Sequence, residues 1–323
     1  MILRKTVNYN DIEYIANLPQ NNNHIAEHLI NHDGNFPVNL PIEIHPYSND
    51  FLLGEYNKYI IGTFPPISYI YNHPTVIEQF FALNRGPKIP FYHGNDATLW
   101  NSFLNIQETM ELMELENGVD KKNYLIQVLN NSEINYADII KSCTRSNINS
   151  VKDSDLYNLV INQELIEHIL SNHKENIVLN FNTSSIFNSQ NFNLQENGFL
   201  SNDNVQSLNL FIRALQEKEY RIQISLNLED YHNLEDLPIP HSFKVFFKMR
   251  IIKDDYSKDF LINTTPSPSG NANRGLGSNL VYQNWFQNQP LNVQQKTPTK
   301  HFRKDIYQFF RNNNWEELHA MNI

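Results

Sequence analysis

Four short β-prone runs, each closed by Gly, Pro or Asn, constrain what this chain can fold into more than any other feature. The first is Lys58-Tyr59-Ile60-Ile61-Gly62-Thr63-Phe64-Pro65-Pro66, the pattern of a buried strand opening into a loop. The second, Asn176-Ile177-Val178-Leu179-Asn180-Phe181-Asn182, follows a segment from Asp155 to Leu170 whose apolar residues recur mostly at helical spacing. The third, Tyr220-Arg221-Ile222-Gln223-Ile224, follows a helical pattern over Val205–Lys218, and Asp259-Phe260-Leu261-Ile262-Asn263 is the fourth. Strands alternating with helices predict a parallel sheet covered on both faces. The expected fold is therefore α/β, a three-layer α/β/α arrangement around a central, mainly parallel four-stranded sheet. In such sheets the site lies beyond the carboxyl ends of the strands, where the loops after Phe64 and after Asn263 both emerge.

A chain of 323 residues with 40% hydrophobic content can bury a substantial core. We read one domain with additions: residues 1–50 as an N-terminal extension or cap, and residues 51–323 as the main domain, with an insertion at 185–258. Asn clusters such as Asn21-Asn22-Asn23 and Asn312-Asn313-Asn314 are compositional bias that marks loops and helix ends. No run of about 18 apolar residues occurs, and the first residues lack the apolar stretch of a secretory signal. A cytoplasmic protein with no membrane partner is expected. A single cysteine, Cys143, leaves no internal disulfide.

The net charge of −10 argues at first against a nucleic-acid partner, because phosphate contacts supply much of the affinity. The distribution alters that argument. From His241 to Arg311 there are 11 Lys and Arg against 4 Asp and Glu, whereas residues 1–240 hold 14 against 29. A basic stretch of this kind can face DNA while the remaining surface stays acidic; it can equally be a solvated surface.

The most distinctive segment is Thr264-Thr265-Pro266-Ser267-Pro268-Ser269-Gly270-Asn271-Ala272-Asn273-Arg274-Gly275. Two prolines among small hydroxyl residues make a stiff, compact loop that can approach a phosphate closely, with Arg274 as a charge behind it. Three further segments precede it: Gly62-Thr63-Phe64-Pro65; Phe91-Tyr92-His93-Gly94 leading to Trp100; and Asp138 followed by Cys143, Arg145 and Ser150. In order and spacing, over roughly residues 55–280, these resemble the uracil-DNA glycosylase superfamily, and most closely its hypoxanthine-DNA glycosylase type. The four segments in one order are far more specific than any of them alone.

That resemblance implies a monofunctional DNA glycosylase, a hydrolase of N-glycosyl bonds that flips a deaminated or otherwise modified base out of the stack and leaves an abasic site. Hypoxanthine, uracil and a bulky phage-type modified cytosine are the candidate bases, in double-stranded or single-stranded DNA. The implied base pocket comprises Gly62, Thr63, Phe64, Pro65, Tyr92 and Gly94, with Phe91 a further stacking candidate or a core aromatic. Thr265, Pro266, Ser267, Pro268, Ser269, Gly270, Asn271 and Arg274 would hold DNA, with Asp138 and Arg145 in support. Better-known branches carry an Asp or Asn that handles the attacking water at the third position of the first loop, and Phe64 stands there instead. The hypoxanthine type relies on an Asn after its aromatic segment. Here the catalytic candidates are Asn95 and then Asp96, one residue short of that family's spacing to the Trp; they equally suit a cap for a helix beginning near Thr98. Thr265 replaces a His found in some branches. No cofactor, metal or Cys-ligated cluster is expected, and no positioned lysine predicts a Schiff base.

Two other readings compete. One is a non-catalytic DNA-binding module on the same fold. The other is a zinc hydrolase through His24, Glu27 and His28, since His24-Ile25-Ala26-Glu27-His28 fits an H-x-x-E-H helix pattern.

Overall fold

The computed structural model describes residues 42–45, 47–64, 89, 91, 99–145, 156–182, 206–236, 245–266, 276–277 and 279–322. The strands are β1 (Ile42–Ile44), β2 (Lys58–Gly62), β3 (Ile134–Asp138), β4 (Ile140–Arg145), β5 (Leu156–Ile161), β6 (Val178–Asn182), β7 (Arg221–Ser225), β8 (His232–Asn233), β9 (Phe246–Lys253) and β10 (Tyr256–Thr265). The α-helices are α1 (Leu99–Phe103), α2 (Ile106–Glu114), α3 (Gly118–Asn131), α4 (Gln163–Ser171), α5 (Ser207–Glu217), α6 (Leu280–Gln287), α7 (Leu291–Gln295), α8 (Pro298–Arg311) and α9 (Trp315–Ala320).

The main sheet has seven strands in the order β3-β2-β6-β10-β9-β7-β8. Its centre, β3-β2-β6-β10, is parallel throughout. The expectation of four strands therefore falls short: the four expected runs are β2, β6, β7 and β10, and β3, β8 and β9 join them, with β9, β7 and β8 pairing antiparallel beyond β10. The segment carrying the Phe246-Phe247 aromatic run, which read in sequence as an insertion or hairpin, supplies β9 of the β9–β10 hairpin, with Phe246, Phe247, Met249 and Ile251 buried. A second, three-stranded antiparallel sheet, β1-β4-β5, joins the first through Ile139, the one residue between β3 and β4.

Strands β2, β3 and β6 are buried at every position, which is why they read as unbroken apolar runs rather than as alternation. Tyr59 and Ile61 face one core, built with α4 and α5 through Leu165, Ile166, Ile169, Leu208 and Phe211. Ile60 faces the other core, built mainly with α1, α3 and α8 through Trp100, Phe103, Leu125, Phe302 and Ile306. Helices thus cover both faces of the sheet.

The expected helix over Asp155–Leu170 is a strand followed by a shorter helix. Leu156, Leu159 and Val160 sit at helical spacing, yet they belong to β5, which pairs with β4, and Val160 is exposed. Asn162 then starts α4, its side-chain oxygen accepting from the Leu165 N–H. The expected helix over Val205–Lys218 is α5, and that expected near Thr98 is α1. Residues 42–45, read in sequence as part of a cap, supply β1 and the segment leading to His45. Among the described residues no helix is long and apolar enough to cross a membrane.

Candidate functional site

The parallel strand order reverses direction at β2: the chain goes from β2 outward to β3, then returns to the other side at β6 and continues to β10. Such a reversal opens a crevice at the carboxyl ends of the strands. The register defines its floor. Gly62 pairs with Asp138, Ile61 pairs with Phe181, which sets Gly62 alongside Asn182, and Thr265 pairs with Asn182. Asp138, Gly62, Asn182 and Thr265 therefore stand side by side at one end of the sheet. With strands about 4.8 Å apart, the two motif loops leave the sheet about 10 Å apart, with β6 between them.

A buried amide network lies below that floor. The Asn263 Nδ2 donates to Asn180 Oδ1 at 2.6 Å, and the Thr265 hydroxyl donates to the same oxygen at 2.7 Å. The Asn180 Nδ2 donates to Asn182 Oδ1 at 3.3 Å, and the Tyr307 hydroxyl of α8 donates to that oxygen at 2.6 Å. Burial pushes the Tyr307 hydroxyl well above the ordinary phenol range, so it stays protonated as the donor. Among the described residues, Asn182 Nδ2 and Asn263 Oδ1 have no hydrogen-bond partner, although both are buried. An orphaned buried amide hydrogen costs about 1–3 kcal/mol, so Asn182 would gain from an acceptor brought within its reach.

Helix α8 closes this side. Phe302, Arg303, Ile306, Tyr307 and Phe310 form its buried stripe at spacings of one, three and four residues. Arg303 donates from Nε to the Pro266 carbonyl at 2.9 Å, which ties α8 to the residue that follows β10. Burial lowers the Arg303 pKa, and the guanidinium remains charged because its ordinary value is so high. At the other end of α8 the Lys58 ammonium donates to the Arg311 carbonyl at 2.9 Å. The helix thus runs opposite to β2, and its amino end points toward the crevice.

On the other side of the crevice a His–Asp pair abuts the first motif loop. His45 Nε2 lies 2.8 Å from Asp138 Oδ2, with both residues buried. The Tyr47 N–H donates to His45 Nδ1 at 3.1 Å, so the imidazole proton resides on Nε2 and is donated to the carboxylate. A Cβ on Gly62 would overlap Asp138 Oδ1, so the glycine of the first motif makes room for this carboxylate. The Phe64 ring stands edge-on to His45, 5.4 Å between centroids at 88°. The Gly62 and Thr63 carbonyls accept from the Ile139 and Ile140 N–H groups, and Asn162 Nδ2 donates to the Asp138 carbonyl at 3.1 Å.

Of the residues read from sequence, Gly62, Thr63, Phe64, Asp138, Thr265 and Pro266 converge on this end of the sheet. Phe91 is fully buried, stacked on Trp100 at 5.8 Å and packed near Tyr136, a core aromatic rather than an exposed wall. Arg145 is the last residue of β4. Pro65, Tyr92, Gly94, Asn95, Asp96, Ser267, Pro268, Ser269, Gly270, Asn271 and Arg274 lie outside the described residues, as do His24, Glu27 and His28. Among the described residues no cluster of three or more His, Cys, Asp or Glu could hold a metal.

The basic stretch proves to be divided. Lys248 donates to the Leu228 carbonyl, Arg250 pairs with Asp259, Lys253 pairs with Glu219, and Lys258 caps the carbonyls at the end of α4. Arg311 pairs with Glu108. Lys296 and Lys300, by contrast, are exposed beside the amino end of α8, the end nearer the crevice.

Sequence reasoning missed His45, Asn180, Asn182, Asn263 and Tyr307. Asn180 and Asn182 offered a signal: two amides two residues apart in a strand otherwise apolar share one face. No protein-family model matches this chain, no curated protein matches it, and no solved structure matches it.

Proposed function

We propose that this protein is a monofunctional DNA glycosylase that accepts a flipped, deaminated or otherwise modified base in the crevice at the ends of β2, β6 and β10 and hydrolyses its N-glycosidic bond. One observation carries the reading: Gly62 and Thr265, where the two motif loops begin, flank Asn182, about two strand spacings apart. That separation suits a single planar base.

The floor adds chemical sense. The open Asn182 Nδ2 is a donor for a carbonyl or ring nitrogen of a base, and a donor fixed in advance stabilises charge that builds on the base as it leaves. Asn95 or Asp96 would orient the water, and Arg274 with Lys296 and Lys300 would meet the phosphates. These cations form a positive face on an otherwise acidic chain, so DNA affinity should fall with salt, with a slope set by the number of phosphates they meet.

The test is a screen of single- and double-stranded DNA containing uracil, hypoxanthine, mismatched thymine or hypermodified cytosine, scored for alkali-sensitive sites. At least one substrate should yield an abasic site. DNA binding without base release on any of them would leave the non-catalytic DNA-binding module as the surviving reading. On an active substrate, Asn95→Ala or Asp96→Ala should slow release about 100-fold, whereas Arg274→Ala should weaken binding with little loss at saturation.

A further inference from the structure

We infer that Asp138, held by His45, is the general base of this crevice, so that the carboxylate absent from position 64 of the first loop is supplied by the neighbouring strand. The inference rests on the glycosylase reading above.

The geometry distinguishes the two carboxylate oxygens. Oδ2 accepts the His45 Nε2 proton at 2.8 Å. Among the described residues no hydrogen bond reaches Oδ1, which occupies the space that a side chain on Gly62 would need. A buried carboxylate with one oxygen fixed and one open is costly to keep, and it persists where a water or ligand completes it. The open oxygen stands at the root of the Gly62–Pro65 loop, one strand from Asn182.

Phe64 fits the same arrangement. Its ring cannot polarise water, but it packs edge-on against His45, with Phe51 on another side at 5.2 Å, and so keeps the imidazole aimed at Asp138. The Tyr47 N–H occupies the other ring nitrogen, which prevents the ring from turning over without losing a hydrogen bond. His45 is thus a positioning residue, and Asp138 is the group that meets the water. The titratable groups facing Asp138 among the described residues are His45, from the segment after β1, and Tyr136, two residues back on β3. Burial, and then the Asp138 charge, hold the Tyr136 hydroxyl far above the ordinary phenol range, so it stays neutral beside the carboxylate.

In the step itself, water oxygen bonds to the sugar C1′ as the N-glycosidic bond breaks. The electron pair of that bond leaves on the base nitrogen. The water proton passes to Asp138 Oδ1 and then to solvent or to the departed base.

Single-turnover base release by the full chain, on whichever duplex of the screen proves active, tests the assignment. Asp138→Asn should slow release about 100-fold or more, leave DNA affinity unchanged and abolish the fall in rate at low pH. His45→Gln keeps a donor for Oδ2 and should retain most of the rate. His45→Leu should lose at least tenfold, because the donor that fixes Oδ2 and aims Oδ1 is gone. If Asp138→Asn fails to fold, the wild-type profile decides, since a rate that stays flat at low pH excludes a carboxylate base. An Asp138→Asn variant with unchanged rate and an intact acid limb overturns the assignment and leaves the glycosylase reading standing. A wild-type chain that releases no base from any substrate overturns both.

Discussion

The two ends of the main sheet treat polar groups in opposite ways. At the end where β2 and β10 begin, polar groups are matched apart from Gln216 Oε1 at the end of α5: the Arg311 guanidinium forms two bonds to Glu108 at 2.7 and 2.8 Å, and Tyr59 bonds to His168 and Asn172. Lys258 covers the carbonyls that end α4. At the end where those strands finish, Asn182, Asn263 and Asp138 are buried and each keeps an atom without a hydrogen bond among the described residues. The first end spends its polar groups on the fold, and the second carries the unmatched atoms that the proposed function would use. Proteins commonly break local rules at functional sites and offset the cost elsewhere.

This contrast can be broken by experiment. The largest stability effect belongs to Glu108→Ala, which removes the carboxylate partner of the largely buried Arg311 and the return bond to the Asn105 N–H in the capping box of α2; urea unfolding should show a loss of about 3 kcal/mol. Base release per folded molecule should not change, and a fall there would mean that the matched end also serves the chemistry.

A smaller effect is expected at alkaline pH. Burial raises the Tyr59 pKa to about 12, so folding favours its neutral form. That contribution is complete below about pH 10 and is lost as pH rises through 12, with a size of about 2–3 kcal/mol. Tyr59→Phe should therefore show a shallower loss of stability between pH 9.5 and about 12 than the wild type.

Gly62→Ala should cost about 1–2 kcal/mol from overlap with Asp138, while base release falls by a larger factor than stability alone explains. A comparable stability loss, about 1–2 kcal/mol, is expected for Asn182→Ala, which removes an unpartnered amide nitrogen but takes the acceptor from the Tyr307 hydroxyl and the Asn180 amide. Its effect on base release should still exceed tenfold. If Asn182→Ala destabilises as much as Glu108→Ala, the two ends do not differ in the way described.

The matched end was also the more legible in sequence. Tyr59-Ile60-Ile61 and Val178-Leu179 read as buried strands because both faces are covered and the apolar run is unbroken. Leu156-Tyr157-Asn158-Leu159-Val160 misled, because an edge strand with one covered face can mimic helical spacing over so short a span. The site was legible only where loops carry it: Gly62, Thr63, Phe64, Thr265 and Pro266 stood out through turn-forming neighbours. His45 was hidden by 93 residues of separation from Asp138, and Asn180 and Asn182 by an abundance of asparagine that made two more seem like noise.

The way α8 seals the crevice has a bearing on how the protein comes to be made. Tyr307 reaches Asn182 across 125 residues, and Lys58 reaches Arg311 across 253. A chain emerging from a ribosome exposes β2, β3 and β6 well before the helix that covers them has been synthesised. Contacts so distant in sequence slow folding and leave parallel strand edges bare in the interval. The crevice is complete only after translation has passed α8.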